Sequence, residues 1–304
     1  MVNQVWVCGE VLIDLIPFGK VRKAIVGGGP ANTARALAKL GIETQFIDGI
    51  STDEYGKMAL QQLHKDGVLL DFVSFSDKPT CLAIVSLNSN GSPTYEFIIE
   101  GTATFDFSHA WLPDVLVFRP SLLHIGTLVT AIEPAATVLF DWASQVAEVA
   151  PIVFDPNIRS AVIDNRIEYV KQVERWLSIS SAVKVSDDDL TWLYPGKSID
   201  EVTKIWLTLG PKLVVVTYGD KGLVGFRKNE KICVNAHEVV VADTVGAGDT
   251  VGAILVEAII EAGLEILVKD RLASMLKRAA KAASITVSRV GAIPPSKSDI
   301  EDRN

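Results

Sequence analysis

The sequence predicts an α/β fold in which a central, mainly parallel sheet is covered by helices on both faces. Two observations carry this. From residue 122 onward, runs rich in β-branched and other apolar residues, at 122–125, 152–155, 182–185 and 213–217, alternate with helix-length segments. Strands rich in β-branched residues and separated by helix-length segments belong in a parallel sheet covered on both faces. Between about residues 72 and 107 the pattern changes to short strands, 81–87 and 94–99, joined by Asn88-Ser89-Asn90-Gly91-Ser92-Pro93. That segment reads as a β-hairpin inserted among helices.

Taken in order, residues 5–18 are apolar with interruptions at period two, so that Cys8, Glu10, Leu12 and Asp14 share one face of a strand. A carboxylate therefore projects from an otherwise apolar strand. Gly27-Gly28-Gly29-Pro30 then leads into a helix ending at Gly41, with Pro30 suited to the first turn and Gly41 to the C-terminal cap. Its stripe of Ala31, Ala34, Leu37 and Ala38 is narrow and small, which predicts close packing. The last third is mostly helical, at 249–262 and then about 270–287, and no internal repeat is visible.

By length, 304 residues would hold about two ordinary domains, but α/β folds of this size are often one continuous core. A composition of 48% apolar and 22% charged residues is that of an ordinary globular protein. A net charge of −8 without a dense Lys/Arg run argues against a nucleic-acid surface, which must neutralise phosphates. The first residues, Met1 to Val7, show no basic region leading into a signal-like stretch, and no charge-free apolar run reaches about 18 residues. No membrane partner is expected, and the expected location is cytoplasmic. Cys8, Cys81 and Cys233, odd in number and widely spaced, suit reduced core residues rather than disulfides.

The strongest chemical signal is Asp243-Thr244-Val245-Gly246-Ala247-Gly248-Asp249-Thr250, followed by an apolar helix that closes at Gly263. Glycines here let successive backbone N–H groups point into one space at a helix N-terminus, where geometry and dipole favour an anion. A transferring phosphoryl group needs such a place. Asp249 would take a proton from a substrate hydroxyl while those N–H groups stabilise the phosphoryl oxygens. The alternative is a tight turn with Asp249 as a mere cap.

This run resembles the C-terminal signature of the ribokinase/PfkB carbohydrate kinases, and Gly27-Gly28-Gly29-Pro30-Ala31-Asn32 with Ala34, Ala38 and Gly41 resembles their N-terminal one. The similarity runs from Cys8-Gly9-Glu10 to Gly291-Ala292-Ile293-Pro294, almost the whole chain. It implies a ribokinase-like three-layer α/β/α fold forming one kinase domain over 1–304, with a small β-sheet lid from about 10–26 and 72–107. It implies ATP as phosphoryl donor, with Mg²⁺ and in some members K⁺. Within the family, Asp14 matches the sugar-binding aspartate, with Gly28, Gly29 and Asn32 beside it. Gly246, Ala247 and Gly248 would complete the catalytic loop. Asp155-Pro156-Asn157-Ile158-Arg159 resembles an element of fructokinases and ketodeoxygluconate kinases, so Asn157 and Arg159 are further substrate candidates, although a surface salt bridge would also use Arg159. Lys184, Ser186, Thr217, Gly219 and Gly222 match nucleotide positions. Asp189 would act on the metal through water, or the charge cluster around it is a helix cap. Asp243, Val245, Ser288 and Gly291 lie where some members hold a monovalent cation.

Several positions depart from the family pattern. Ser186 replaces an Asn, Asp189 a Glu, and Val251 a larger residue, while Phe97-Ile98-Ile99-Glu100-Gly101 lacks an Arg common in fructokinases. The helix segment Ala279-Ala280-Lys281-Ala282-Ala283 lacks an Asn often found near adenine. Rival motifs fail on spacing: Gly196-Lys197-Ser198 has Thr191 where a phosphate loop needs Gly, and Gly27-Gly28-Gly29 lacks the dinucleotide fingerprint. The opening Gly9-Glu10-Val11-Leu12-Ile13-Asp14 resembles fructokinases more than nucleoside kinases and so favours fructokinase, with a ketodeoxygluconate, ribose or nucleoside kinase as the alternatives. From a different class, a sugar-binding protein without catalysis is the remaining alternative. An exposed lid strand face would allow a homodimer.

Overall fold

The computed structural model describes residues 4–87 and 93–301. Across its central sheet the strand order is Glu230–Val234, Leu223–Arg227, Leu213–Thr217, Ala182–Ser186, Ile152–Asp155, Leu122–Gly126, Val5–Cys8 and Thr44–Ile47. The strands from Leu213–Thr217 to Thr44–Ile47 are parallel, and the hairpin Leu223–Arg227 with Glu230–Val234 closes one edge antiparallel. Because side chains alternate across a strand, Val5, Val7, Val153, Ala182 and Val215 share one core with the helices Gly29–Lys39, Ala247–Ala262 and Leu272–Val287. Trp6, Phe154, Val183 and Val214 face the other way, onto Ala135–Ala147, Arg166–Ile179 and Ile199–Leu209. The same alternation brings His124, Asp155 and Lys184 to the first face. Polar side chains thus enter the core beneath the helix that carries Asp249.

A second sheet orders Val21–Gly27, Leu12–Phe18, Leu82–Leu87 and Pro93–Ile98. It buries Ile13, Val26 and Ala83 and leaves Ile16, Phe18, Val21, Tyr95 and Ile98 exposed. The single strand expected over 5–18 is divided: Val5–Cys8 belongs to the central sheet and Leu12–Phe18 to the small one. The break falls at Gly9, whose φ of +147° suits glycine. It is pinned by Asp48, which accepts the N–H groups of Val11 and Gly49, both at 2.8 Å. Period-two patterning continues through such a break, so it cannot reveal a change of sheet. Glu10 consequently lies in the crossing, buried, rather than on a strand.

The turn expected at Asn88 to Pro93 falls at 88–92 outside the described residues. The helix expected from about residue 270 begins at Leu272, preceded by a π-helical turn at Leu267–Arg271. All three cysteines are free, but Cys233 is exposed, not a core residue. It lies on the edge strand Glu230–Val234, where Ile232 and Val234 turn inward and Cys233 outward. Among the described residues no helix is long and apolar enough to cross a membrane.

Candidate active site

The helix Ala247–Ala262 begins at Gly246, whose left-handed φ of +83° turns the chain into it without a side-chain cap. Asp249 is therefore not spent as a cap. The helical ladder begins with Thr250, whose N–H donates to Gly246 O at 2.9 Å; Ala247 N–H turns back to Thr244 O at 3.4 Å, and the N–H groups of Gly248 and Asp249 form the helix opening. Beneath it lies Lys184, on the strand Ala182–Ser186, paired to Asp155 Oδ2 at 2.9 Å with both side chains buried. A Cβ on Gly248 would stand only 2.8 Å from Lys184 Nζ, so a side chain there would displace the ammonium. The opening is thus underlaid by a buried cation, a setting that favours negative charge.

The Asp249 carboxylate is 7% exposed. Its Oδ2 accepts a hydrogen bond from Asn32 Nδ2 at 2.9 Å. Burial raises its pKa to about 6, with Lys184 and the Asn32 bond opposing the rise and Asp155 adding to it. Lys184 itself is pulled down by burial, but Asp155 and Asp249 outweigh this and leave it above its ordinary value.

The remaining substrate candidates converge from three loops. A Cβ on Gly29 would lie 2.9 Å from Asn157 Nδ2, 3.0 Å from Thr127 Cγ2 and 3.3 Å from Asp249 Oδ1, so these groups border one small space. Arg159 Nη1 donates to Asn157 Oδ1 at 2.7 Å, and among the described residues Arg159 forms no salt bridge. Its charge reaches Asp14, Glu10 and Asp249 and opposes the rise that burial gives each of them. Asp14, on the small sheet, is raised to about 6 and Glu10 to about 7. Thr127, in a left-handed conformation, donates its hydroxyl to Glu10. Gly28 lies against the Glu10 carbonyl at the entrance of the first helix. Asn32 is engaged at both ends, its Oδ1 accepting from Arg35 Nη1 at 3.3 Å.

The nucleotide candidates gather at the carboxyl ends of adjacent strands, where open α/β sheets bind ligands. Ser186 and Thr217 are register partners, and Gly219 and Gly222 flank the short turn Gly219–Lys221. Lys184, 3% exposed, shares a strand face with Ser186 two residues on and lies deeper, in the core under Gly248. The acidic cluster forms a capping box: Ser186 Oγ accepts Asp189 N–H at 3.0 Å and Asp189 Oδ2 accepts Ser186 N–H at 3.2 Å. Asp189 Oδ1 also accepts Ile158 N–H at 3.0 Å and so ties the 155–159 loop to that helix. Burial raises the Asp189 pKa. Asp243 staples two loops, accepting from Val245 N at 3.0 Å and Gly291 N at 2.9 Å, while Ser288 donates to Ile285 O at 2.8 Å.

Sequence reasoning left out Asp155, Glu10, Arg35 and Thr127. A polar residue closing an apolar strand signals Asp155, and i,i+3 helical spacing from Asn32 signals Arg35. Nothing local marks Thr127, whose place depends on the chain crossing at Gly126.

This arrangement has counterparts. The pfkB family of carbohydrate kinases matches residues 3–299 of the sequence. The chain belongs to that family. Among pfkB relatives, a fructokinase of Rhizobium leguminosarum bv. trifolii is 37% identical over 80% of this chain and 76% of its own length. Fructokinase-2 of rice, Oryza sativa subsp. japonica, is 32% identical over 96% and 90%. The ATP-bound fructokinase of Xylella fastidiosa superposes with a TM-score of 0.92 over 99% of this chain and 98% of that one, at 23% identity, and so supports the ribokinase-like fold alone. The Vibrio cholerae O395 fructokinase bound to fructose, ADP and calcium superposes with a TM-score of 0.88 at 26% identity, over 99% and 98%.

Proposed function

We propose that this pfkB-family chain is an ATP-dependent fructokinase that converts fructose to fructose 6-phosphate. The observation that carries the reading is the buried Asp249 carboxylate at a helix opening underlaid by Lys184. With a pKa of about 6, Asp249 is ionised at neutral pH yet basic enough to accept a hydroxyl proton. The curated relatives named fructokinase, at 37% and 32% identity, support fructose as the sugar.

In this reading the sugar lies between the small sheet, acting as a lid, and the central sheet of one kinase domain. Asp14 accepts hydrogen bonds from two vicinal hydroxyls. Gly28, Gly29, Asn157, Arg159 and the remaining N–H of Asn32 complete the sugar site. Ser186, Thr217, Gly219 and Gly222 border the nucleotide, and Lys184 adds its charge from below. The accepting hydroxyl stands beside Asp249 Oδ1 as the γ-phosphoryl reaches the Gly246-Ala247-Gly248 turn and the N–H groups of the helix opening it leads into. Asp249 takes the proton while the N–H groups hold the phosphoryl oxygens in line. Closure of the lid excludes water and limits wasteful ATP hydrolysis.

The residues fit a water-shelled Mg²⁺: among the described residues Asp155 Oδ1 has no hydrogen-bond partner, and the Asp189 carboxylate lies close enough to perturb Lys184 with it. Magnesium keeps most of its waters and takes one or two carboxylates plus phosphates; bound there, it neutralises phosphate charge. Carbonyl oxygens of Val245, Ser288 and Gly291, with Asp243, would hold K⁺. The exposed apolar face of Phe18 and Val21 supports a lid-mediated homodimer, and free thiols suit the cytoplasm.

A coupled ADP-release assay over fructose, ribose, ketodeoxygluconate and adenosine tests the substrate. Asp249→Asn is expected to bind sugar but turn over roughly 10²–10⁴-fold more slowly. Near-normal turnover of that variant would remove Asp249 from the mechanism, and silence with every acceptor would return the chain to a sugar-binding role.

A further inference from the structure

We propose that Arg35 is a positioning residue that orients the Asp249 carboxylate through the amide of Asn32, a role that rests on the kinase reading above. Asn32 has one accepting end and one donating end. Its Oδ1 receives Arg35 Nη1 at 3.3 Å, and its Nδ2 donates to Asp249 Oδ2 at 2.9 Å. A guanidinium only donates, so the reversed amide would set N–H against N–H at Arg35 and oxygen against oxygen at Asp249. Arg35 and the carboxylate of Asp249 thus fix the amide from its two ends, and Arg35 is the end that does not react.

The amide in turn decides which carboxylate oxygen is available. Oδ2 is held by Asn32, whereas Oδ1 borders the space shared by Gly29 and Asn157, where the reading above places the reacting hydroxyl. Arg35 is itself fixed: its Nε donates to Asp66 Oδ2 at 2.6 Å, and the two side chains are 7% and 5% exposed. Asp66, at the C-terminal cap of the helix Glu54–Lys65, also accepts from Gln62 at 2.9 Å and pairs with Lys39 at 3.1 Å. A relay of buried polar groups thus runs from that helix end to the reacting carboxylate. The planar fork of arginine serves both neighbours at once, which a single ammonium does with far less directionality.

Charged groups from other elements also face Asp249: Lys184 and Asp155 from the central strands and Arg159 from the loop after them. None of these constrains the Asn32 amide. Releasing it removes a donor that favours the ionised carboxylate, so the pH below which turnover falls moves upward. It also lets the carboxylate rotate, which affects the chemical step more than sugar binding.

The test uses Arg35→Met, which keeps an apolar stem of similar reach, and Arg35→Met/Asp66→Asn, which avoids leaving a buried charge unpaired. Both are assayed on the full chain by ADP release with fructose as a function of pH, alongside thermal unfolding. The expected result is a kcat lowered about 10- to 100-fold, since small misplacements at a reacting group cost that much, with the fructose KM little changed and the acid limb displaced upward. A purely structural role lowers the melting temperature without moving the acid limb. A folded double variant with wild-type kcat and an unmoved limb overturns the proposal, as does one in which only KM changes. Arg35→Lys keeps the ion pair and is read by the same criteria if the neutral pair does not fold. Asp249→Asn separates the two failures: if that variant works normally the kinase assignment of Asp249 falls, whereas if it is dead and the Arg35 variants are unaffected only the positioning role falls.

Discussion

Replacing Lys184 by Met tests how far one buried ion pair serves both fold and chemistry. Lys184 Nζ and Asp155 Oδ2 are 2.9 Å apart with side chains 4% and 2% exposed, and Asp155 Oδ1 has no other partner. Removing the ammonium strands a carboxylate in the core, a change that costs about 3–5 kcal/mol. With an unfolding entropy of about 2.1 cal/mol/K per residue, the 304-residue chain loses about 5–8 °C of melting temperature. The sign is clear: the Lys184 pKa is raised on folding, so its stabilisation is complete below the unfolded value and is lost only as pH climbs through the folded one. Lys184→Met/Asp155→Leu, which removes both charges, is expected to regain most of the loss. In the same variant series Asp249 loses the cation that most opposes its rise, so the acid limb of kcat, expected near pH 6, moves up in Lys184→Met. Thermal unfolding and a pH series of coupled ADP release measure the two effects. A melting point within about 2 °C of wild type, corresponding to roughly 1 kcal/mol, together with an unmoved acid limb would refute the reasoning.

Other outcomes follow from the same geometry. Glu10 is raised to about 7 and Asp14 and Asp249 to about 6, so the folded chain binds more protons than the unfolded one from about pH 4 to 7. Unfolding free energy is then expected to fall as pH rises through that window, with only a partial offset from His124, held neutral by burial and a pKa of about 3; denaturant titrations showing stability flat or rising there would contradict it. Gly28→Ala places a Cβ against the Glu10 carbonyl at a φ of +102°, where backbone meets backbone and no rotamer relieves the clash. A destabilisation of about 1–3 kcal/mol and a raised fructose KM are expected, and unchanged values of both would show that the loop yields freely. For the lid face, sedimentation at micromolar concentration is expected to show two chains for wild type and one for Phe18→Asp; a wild-type mass of one chain at every concentration would remove the dimer.

The central architecture was legible because four of its parallel strands, at 122–125, 152–155, 182–185 and 213–217, are mostly apolar runs, whereas Thr44–Ile47, half polar, was not read as a strand. Residues 213–217 and 182–185 need no context to be read as buried strands. The Asp249 turn was legible for a similar reason, since two glycines just ahead of an apolar helix mark its start. What the chain order could not convey was long-range accommodation. Residues 5–18 keep period two across a change of sheet, because the break depends on Asp48, which is far away in sequence. Cys233 is apolar enough for a core but stands on the outer side of an edge strand.

The site shows the same division at the level of single side chains. Asn32 and Asp249 are each recognisable from their motifs, yet their hydrogen bond spans 217 positions. Asn32 is held between Asp249 and Arg35, a residue in neither motif. Lys184 reads from sequence as a nucleotide contact, and its strand parity places it on the face of Ser186 and beneath Gly248. Motifs therefore name the groups that meet the substrate, while the groups that aim them are chosen by packing. If that division holds, substitutions at Arg35 and Asp66 should alter turnover and its pH dependence more than sugar affinity, and substitutions at Asp14 should do the reverse.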